Sequence, residues 1–284
     1  ALALVVVYRG TGHFNFAQGE MATLSTYIAW LFAGWTLPVI GGIPLWAATI
    51  VAMIFGFALG GATEVLIVRP LARRSELTVF VALIVIFLGI NALTSGRWQA
   101  NPQEQIGSLF PAEAGDFLRI GGAVWRYRDI GNLAVTLVVT FLVYLLFQRT
   151  KAGLAMRAVA SNHESAKLVG IPTGSILAGS WGLAGALAAL TAVLHAGGVG
   201  TITPLLMFQL FVYAAAAATL GGLDSPLGAV VGGLGIGLVE AFAAEWAPGW
   251  IGQEMKLGVA LLAIFVVLLV RPAGLFGSAK VERV

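Results

Sequence analysis

The stretch Arg149 to Pro172, RTKAGLAMRAVASNHESAKLVGIP, is the longest polar interruption in the carboxyl-terminal half of a chain otherwise built of apolar segments. It is too short to be a domain and too charged to lie in lipid. Its basic residues Arg149, Lys151, Arg157 and Lys167 assign it to the cytoplasm, because positive residues in short loops are retained on that side during insertion. The pattern from Arg157 to Val169 predicts one or two short helices, with Ala155, Ala158, Val159, Ala166 and Val169 available for an apolar face. A charged helical segment kept between two spans is expected to have something to touch.

Composition agrees with a chain made of spans. Hydrophobic residues make up 59% and charged residues 10% of the 284, and the mean hydropathy is +0.93, whereas a soluble domain carries about a quarter charged residues. Several apolar runs are long enough to cross about 30 Å of hydrocarbon as helices, and none alternates as an outer-membrane strand would. The predicted fold is therefore all-α, a polytopic transmembrane bundle with broken helices and about eight to nine spans. The net charge of +3 does not indicate nucleic acid, since the basic residues lie at the ends of apolar runs, where topology explains them. No cysteine occurs, which removes disulfides, thiolate catalysis and Cys-based metal sites.

The spans are expected in this order. ALALVVVYRG is about half a span, so the sequence is expected to begin inside its first membrane helix. A polar and aromatic break, His13 to Glu20, precedes a run from Met21 to Leu37. Ile43 to Val68 carries Gly56, Gly60 and Gly61, suited to close helix packing, and is expected to end at Arg69-Pro70. Leu77 to Ser95 leads out to a mixed-charge loop, residues 96–128, with Trp98 and Trp125 at its margins. Ile130 to Phe147 returns to the cytoplasmic loop, residues 149–173. Ser175 to Leu194 goes out and is expected to break at His195-Ala-Gly-Gly-Val-Gly200. Leu205 to Leu220 comes back to Gly221-Gly-Leu-Asp-Ser-Pro226, Leu227 to Ala244 goes out, and Leu257 to Val270 is the last span. On this layout Arg69, Arg73, Arg74, Arg149, Lys151, Arg157, Lys167, Arg271, Lys280 and Arg283 lie inside. Outside are half as many basic residues, Arg97, Arg119, Arg126, Arg128 and Lys256, the bias expected of a correct assignment.

Within the cytoplasmic loop, Glu164-Ser165-Ala166 is followed after three residues by Gly170. It resembles the E-A-A-x3-G pattern with which membrane subunits of ATP-binding-cassette (ABC) importers dock onto their ATPases, with Ser165 in place of the first Ala. A solvated connector helix fits that motif alone equally well. Two further stretches point the same way: Asn15-Phe-Ala-Gln-Gly-Glu20, and Gly221-Gly-Leu-Asp-Ser-Pro-Leu-Gly228 with Gly232-Gly233. Taken together over nearly the whole chain, they look like the permease subunit of branched-chain amino acid ABC importers of the Liv type. Gln18 stands where that family often has His. The family also includes urea, amide and small organic acid systems.

The resemblance implies a single permease domain spanning residues 1–284 in a bacterial cytoplasmic (inner) membrane. It implies a second homologous permease subunit, two cytoplasmic ATPases, an extracytoplasmic solute-binding protein and a small-molecule solute as partners. It implies ATPase coupling through Arg157, Glu164, Ala166, Leu168 and Gly170, and a translocation path past Asn15, Gln18, Glu20, Gly221, Gly222, Asp224 and Ser225. No G-x-x-x-x-G-K-[ST] loop occurs in the chain, so ATP hydrolysis is expected on partner chains. No catalytic, cofactor or metal residues are assigned, and the chain is not read as an enzyme, because no nucleophile–base pair or H-E-x-x-H motif is present.

Single residues carry more than one reading. Glu20 beside Asn15 and Gln18 fits a polar cavity that orients an ammonium or amide group, but a helix-start role is the commoner one. Glu64, one turn from Arg69, is expected to snorkel to the interface. His195 reads as a helix-end residue and Asn91 as a bond between spans. An ion-coupled secondary transporter would need an intramembrane carboxylate relay, and the few candidates form none.

Overall fold

Why each apolar run becomes a helix follows from its solvent: in hydrocarbon every backbone N–H and C=O needs an internal partner. A computed structural model of the chain describes residues 1–34, 43–72, 74–98, 104–113, 115–120 and 123–246, with 258, 262, 265, 266, 269, 271 and 274–277 beyond them. Four helices are long and apolar enough to cross a membrane among the described residues: Leu45–Leu71, Glu76–Trp98, Tyr127–Arg149 and Thr173–Val199. Large apolar side chains such as Ile54, Leu88, Phe141 and Leu238 stand exposed on helix faces, as lipid-facing residues do. The expected span Leu257 to Val270 falls largely outside the described residues. So do the run's end at Leu37, Arg73, the turn up to Trp250, Lys256 and the tail with Lys280 and Arg283.

The chain divides into two compact units, residues 16–207 and residues 1–15 with 208–284. The larger holds α2 (Gln18–Gly34), α3 (Leu45–Thr63), a π-turn (Glu64–Val68), α4 (Arg69–Leu71), α5 (Glu76–Trp98), α6 (Tyr127–Arg149), α7 (Lys151–Ser161), α8 (His163–Leu168) and α9 (Thr173–Val199). Helix α3, the π-turn and α4 form one unbroken rod. It ends at Leu71, one residue past the expected Arg69-Pro70 stop. Proline lacks an N–H and its ring crowds the carbonyl four residues back, and the widened turn, in which Arg69 N–H reaches back to Glu64 O, precedes that ring.

The centre of this unit is the antiparallel pair α3–α9. A Cβ on Gly56 would meet the backbone of Gly185, and one on Gly60 would meet the Trp181 carbonyl. Ala48, Ala52 and Val193 continue the contact with Ala29 of α2. Helix α2 lies along α5 with Tyr27 stacked on Trp98, ring centroids 4.3 Å apart. Hydroxyls on these helices bond the carbonyl four residues back, as Thr26 does to Ala22 O at 3.0 Å and Thr63 to Leu59 O at 2.8 Å, which satisfies them where lipid offers no partner.

Helix α9 runs through His195 and stops only at Gly200, whose φ is 83°. The break expected over His195 to Gly200 therefore comes at the far end of that stretch, because Gly197 and Gly198 keep helical dihedrals and only Gly200 leaves them. The residue 96–128 loop is not irregular throughout. It contributes β1 (Glu104–Gln105), antiparallel to β4 (Thr201–Ile202), and a hairpin of β2 (Phe117–Ile120) and β3 (Ala123–Arg126) with Leu118 opposite Trp125.

The smaller unit holds α1 (Leu2–Thr11), α10 (Phe208–Gly221) and α11 (Pro226–Trp246). The α10–α11 hairpin packs Tyr213, Ala217 and Leu220 with Ile236, and Val5 of α1 with Ala218 and Ala229. Residues 274–277 close its end: Leu275 N–H donates to Leu220 O at 2.8 Å and Phe276 N–H to Gly221 O at 3.0 Å.

Candidate functional sites at the start of α2 and in the cytoplasmic loop

The polar break is shorter than the sequence suggests. Irregular backbone occupies residues 12–17, and Gln18, Gly19 and Glu20 form the first turn of α2. Asn15, Gln18 and Glu20 are all buried, Glu20 to 1% exposure. Residues two apart on a helix point to different sides, and Gln18 and Glu20 do so. Gln18 Nε2 donates to Ala184 O of α9 at 3.3 Å, while Glu20 faces Asn91 of α5. Ala184 is eleven residues past the start of α9, about 16 Å along its axis at 1.5 Å per residue, so Gln18 meets the inner stretch of a helix of 27 residues.

Gln18 Oε1, Glu20 Oε2, Asn91 Nδ2 and Trp181 Nε1 are buried without a hydrogen-bond partner among the described residues. Trp181 is one turn from Ala184 on α9. Sequence reasoning passed over it because a tryptophan inside an apolar run looks like core packing. Only its unpaired N–H in the folded state separates it from its neighbours.

Gly221, Gly222, Asp224 and Ser225 belong to the smaller unit. They form the α10–α11 turn, where Gly222 adopts φ 106° and Ser225 Oγ accepts from Gly228 N–H at 3.0 Å, capping α11.

The cytoplasmic loop is two capped helices. Thr150 Oγ1 accepts from Gly153 N–H and starts α7; Asn162 Oδ1 accepts from Ser165 N–H and starts α8. Arg157 Nη1 bonds Gln148 Oε1 at 3.1 Å, fastening α7 back onto the end of α6. Glu164 pairs with Lys167 at 3.1 Å, both exposed. Gly170, at φ 83°, donates to Lys167 O and Ile171 to Ala166 O, each at 3.0 Å. These are the two bonds of a Schellman stop. The A-x3-G spacing therefore has a structural meaning: Ala166 is the buried last-turn residue and Gly170 the left-handed one. The stop leaves Leu168 and Val169 projecting, 88% and 76% exposed.

A helical bundle with lipid-facing flanks and a rigid, apolar-tipped helix in its basic loop defines a multi-pass membrane protein. Over residues 1–268 the chain matches the family described as branched-chain amino acid transport system, permease component, and it belongs to that family. It is 34% identical to the high-affinity branched-chain amino acid transport system permease protein BraD of Pseudomonas aeruginosa, covering 100% of this chain and 92% of that one. Its identity to the permease protein LivH of Salmonella typhimurium is 27%, with the same coverage. With the probable LivH of Methanocaldococcus jannaschii it is 28%, over 98% of this chain and 87% of the relative. No solved structure matches the chain. These relatives are named as transport permease proteins, so the chain is a permease component and not an enzyme.

Proposed function

We propose that the protein moves branched-chain amino acids across the bacterial cytoplasmic membrane as one permease subunit of an ABC importer. It pairs with a second homologous permease, two cytoplasmic ATPases and an extracytoplasmic solute-binding protein. Residues 1–284 act as one permease domain, with residues 96–128 outside and 149–173 inside. The match to the family along residues 1–268 carries this reading. Two features support its parts.

Helix α8 presents Leu168 and Val169 on a Schellman-capped end, an apolar knob suited to a groove in an ATPase, while Glu164, Ala166, Gly170 and Arg157 fix its shape. The buried Gln18 Oε1 and Glu20 Oε2, without partners among the described residues, suit weak contact with a zwitterion in transit, since such groups at membrane depth gain from any polar visitor; Asn15 is assigned to the same path. Gly221, Gly222, Asp224 and Ser225 complete the proposed path at the α10–α11 turn. Tight binding belongs to the soluble receptor.

The test is coupling in the reconstituted complex. Gly170→Leu forces a side chain into a left-handed position, and Glu164→Lys reverses an exposed charge. Both are expected to leave the protein in the membrane while leucine imported per ATP hydrolysed falls at least fivefold. An unchanged ratio in both would remove the docking role from α8.

A further inference from the structure

The rod formed by α3, the π-turn and α4 ends in a charged clasp that the docking reading does not use. Glu64 opens the π-turn with its carboxylate 1% exposed. Contrary to expectation, it does not snorkel to the interface; the arginine comes to it. Arg69 Nε donates to Glu64 Oε1 at 3.1 Å and Nη2 to Oε2 at 2.5 Å, so the pair is bidentate. The same Nη2 donates to Gly174 O at 2.7 Å. Arg69 is 43% exposed, which places it at the edge of the packed bundle. One guanidinium therefore ties the end of the α3 rod to the first turn of α9.

The position of Gly174 gives this bond its interest. Gly174 follows Gly170, Ile171 and Pro172, the stop of α8. The connection is taut: Ile171 N–H bonds back to Ala166 O at 3.0 Å, and Thr173 N–H to Ile171 O at 2.8 Å. A displacement of α8 reaches the first turn of α9 with little slack to absorb it. Further in, Gly56, Gly60 and Gly185 hold α3 against α9 backbone to backbone, so the two helices shift together if their cytoplasmic ends are registered. Arg69 supplies that registration. A planar guanidinium has enough fixed donors to serve a carboxylate and a carbonyl at once, whereas a lysine ammonium is a point charge without that fork.

We propose that Glu64 and Arg69 are positioning residues for transport: the clasp transmits movement of the α8 docking helix to the α3–α9 pair. The proposal rests on the docking reading of α8. Neither residue touches solute or nucleotide.

The test uses the assembled complex in proteoliposomes, with its ATPases and binding protein, and reads leucine imported per ATP hydrolysed. Arg69→Lys keeps the charge and loses the fork. Gly174→Ala adds a methyl group 3.1–3.5 Å from the guanidinium atoms and favours the helix, so it disturbs the clasp without threatening the fold. Glu64→Gln removes the charge but keeps the shape. Each is expected to lower the ratio threefold or more, with complexes still recovered whole from mild detergent. A ratio equal to wild type in Arg69→Lys and Gly174→Ala overturns the proposal, even if both melt earlier. The Gly170→Leu and Glu164→Lys variants, run beside them, separate the two failures. If those uncouple and the clasp variants do not, only the clasp is wrong. If those too keep the wild-type ratio, the docking reading falls and the clasp with it.

Discussion

The α3–α9 pair of the larger unit and the α10–α11 pair of the smaller unit solve one packing problem in two ways. Both run antiparallel, and both let backbones approach where no Cβ fits: Gly56 and Gly60 against Gly185 and the Trp181 carbonyl, Gly221 and Gly232 against Gly228 and Ala217. Small residues are the means of helix association where lipid removes the hydrophobic driving force. The register is set differently. α10 and α11 are sequence neighbours, and their turn fixes the register by backbone chemistry, with Ser225 capping α11 and residues 275 and 276 bonding the last carbonyls of α10. α3 and α9 are far apart in sequence and have no turn of their own. Side chains must register them, and the Arg69 bond to Gly174 is positioned to do so. A locally closed pair is a rigid block; a pair registered across a loop that carries a docking helix can pass on motion.

The largest effect is expected at the centre of the long-range pair. In Gly60→Leu the new side chain has backbone in front of it, which cannot move aside as a side chain end does. Overpacking alone costs about 1–3 kcal/mol, and a clash with backbone is expected to exceed that. Gly61→Leu is its internal control, since a Cβ there meets only Ala178 O at 3.5 Å, an ordinary contact. Monodisperse protein recovered from membranes should fall at least tenfold in the first and stay near wild type in the second. Equal yields would show that α3 and α9 are not held by this approach.

A smaller effect is expected at the local pair. Ser225→Ala leaves Gly228 N–H without its acceptor, and loss of a helix cap costs about 1 kcal/mol. The purified protein should melt a little earlier, and Ser225→Asp, which restores an acceptor, should recover most of the loss. If Ser225→Asp melts as early as Ser225→Ala, the turn is not held by its cap, and the contrast between the two pairs weakens.

What the sequence disclosed follows the range of each interaction. Apolar runs, the glycines of α3 and the basic loop were legible because period, size and charge are local properties. The A-x3-G spacing was legible as a pattern, and its meaning as a Schellman stop needed only the next residue. The end of α9 was legible to within a turn: the stop falls at Gly200 rather than at His195, because nothing before Gly200 requires a left-handed residue. The Arg69-Pro70 stop was legible to within a residue, whereas no short pattern announces the π-turn that precedes it. Glu64 was misread because its burial depends on α9, more than a hundred residues away. Trp181 was missed because an unpaired indole N–H is a property of the folded state alone.

The smallest effect on stability, and the most informative for the path, is expected at Gln18. Its Nε2 makes one long bond, 3.3 Å to Ala184 O, while Oε1 has no partner among the described residues. Gln18→Met keeps the volume and the unbranched shape. It gives up a hydrogen bond worth about 1 kcal/mol and removes an unpaired acceptor whose burial costs about 1–3 kcal/mol. The second term equals or exceeds the first, so the melting temperature should stay near wild type or rise. Transport should not follow. If the side chain greets a zwitterion on its way through, methionine offers it nothing, and the maximal uptake rate should fall several-fold with the receptor's affinity for solute untouched. The opposite result, an earlier melt with full uptake, would make Gln18 a brace between α2 and α9 and move the path to the Glu20 side of the helix, where Asn91 stands.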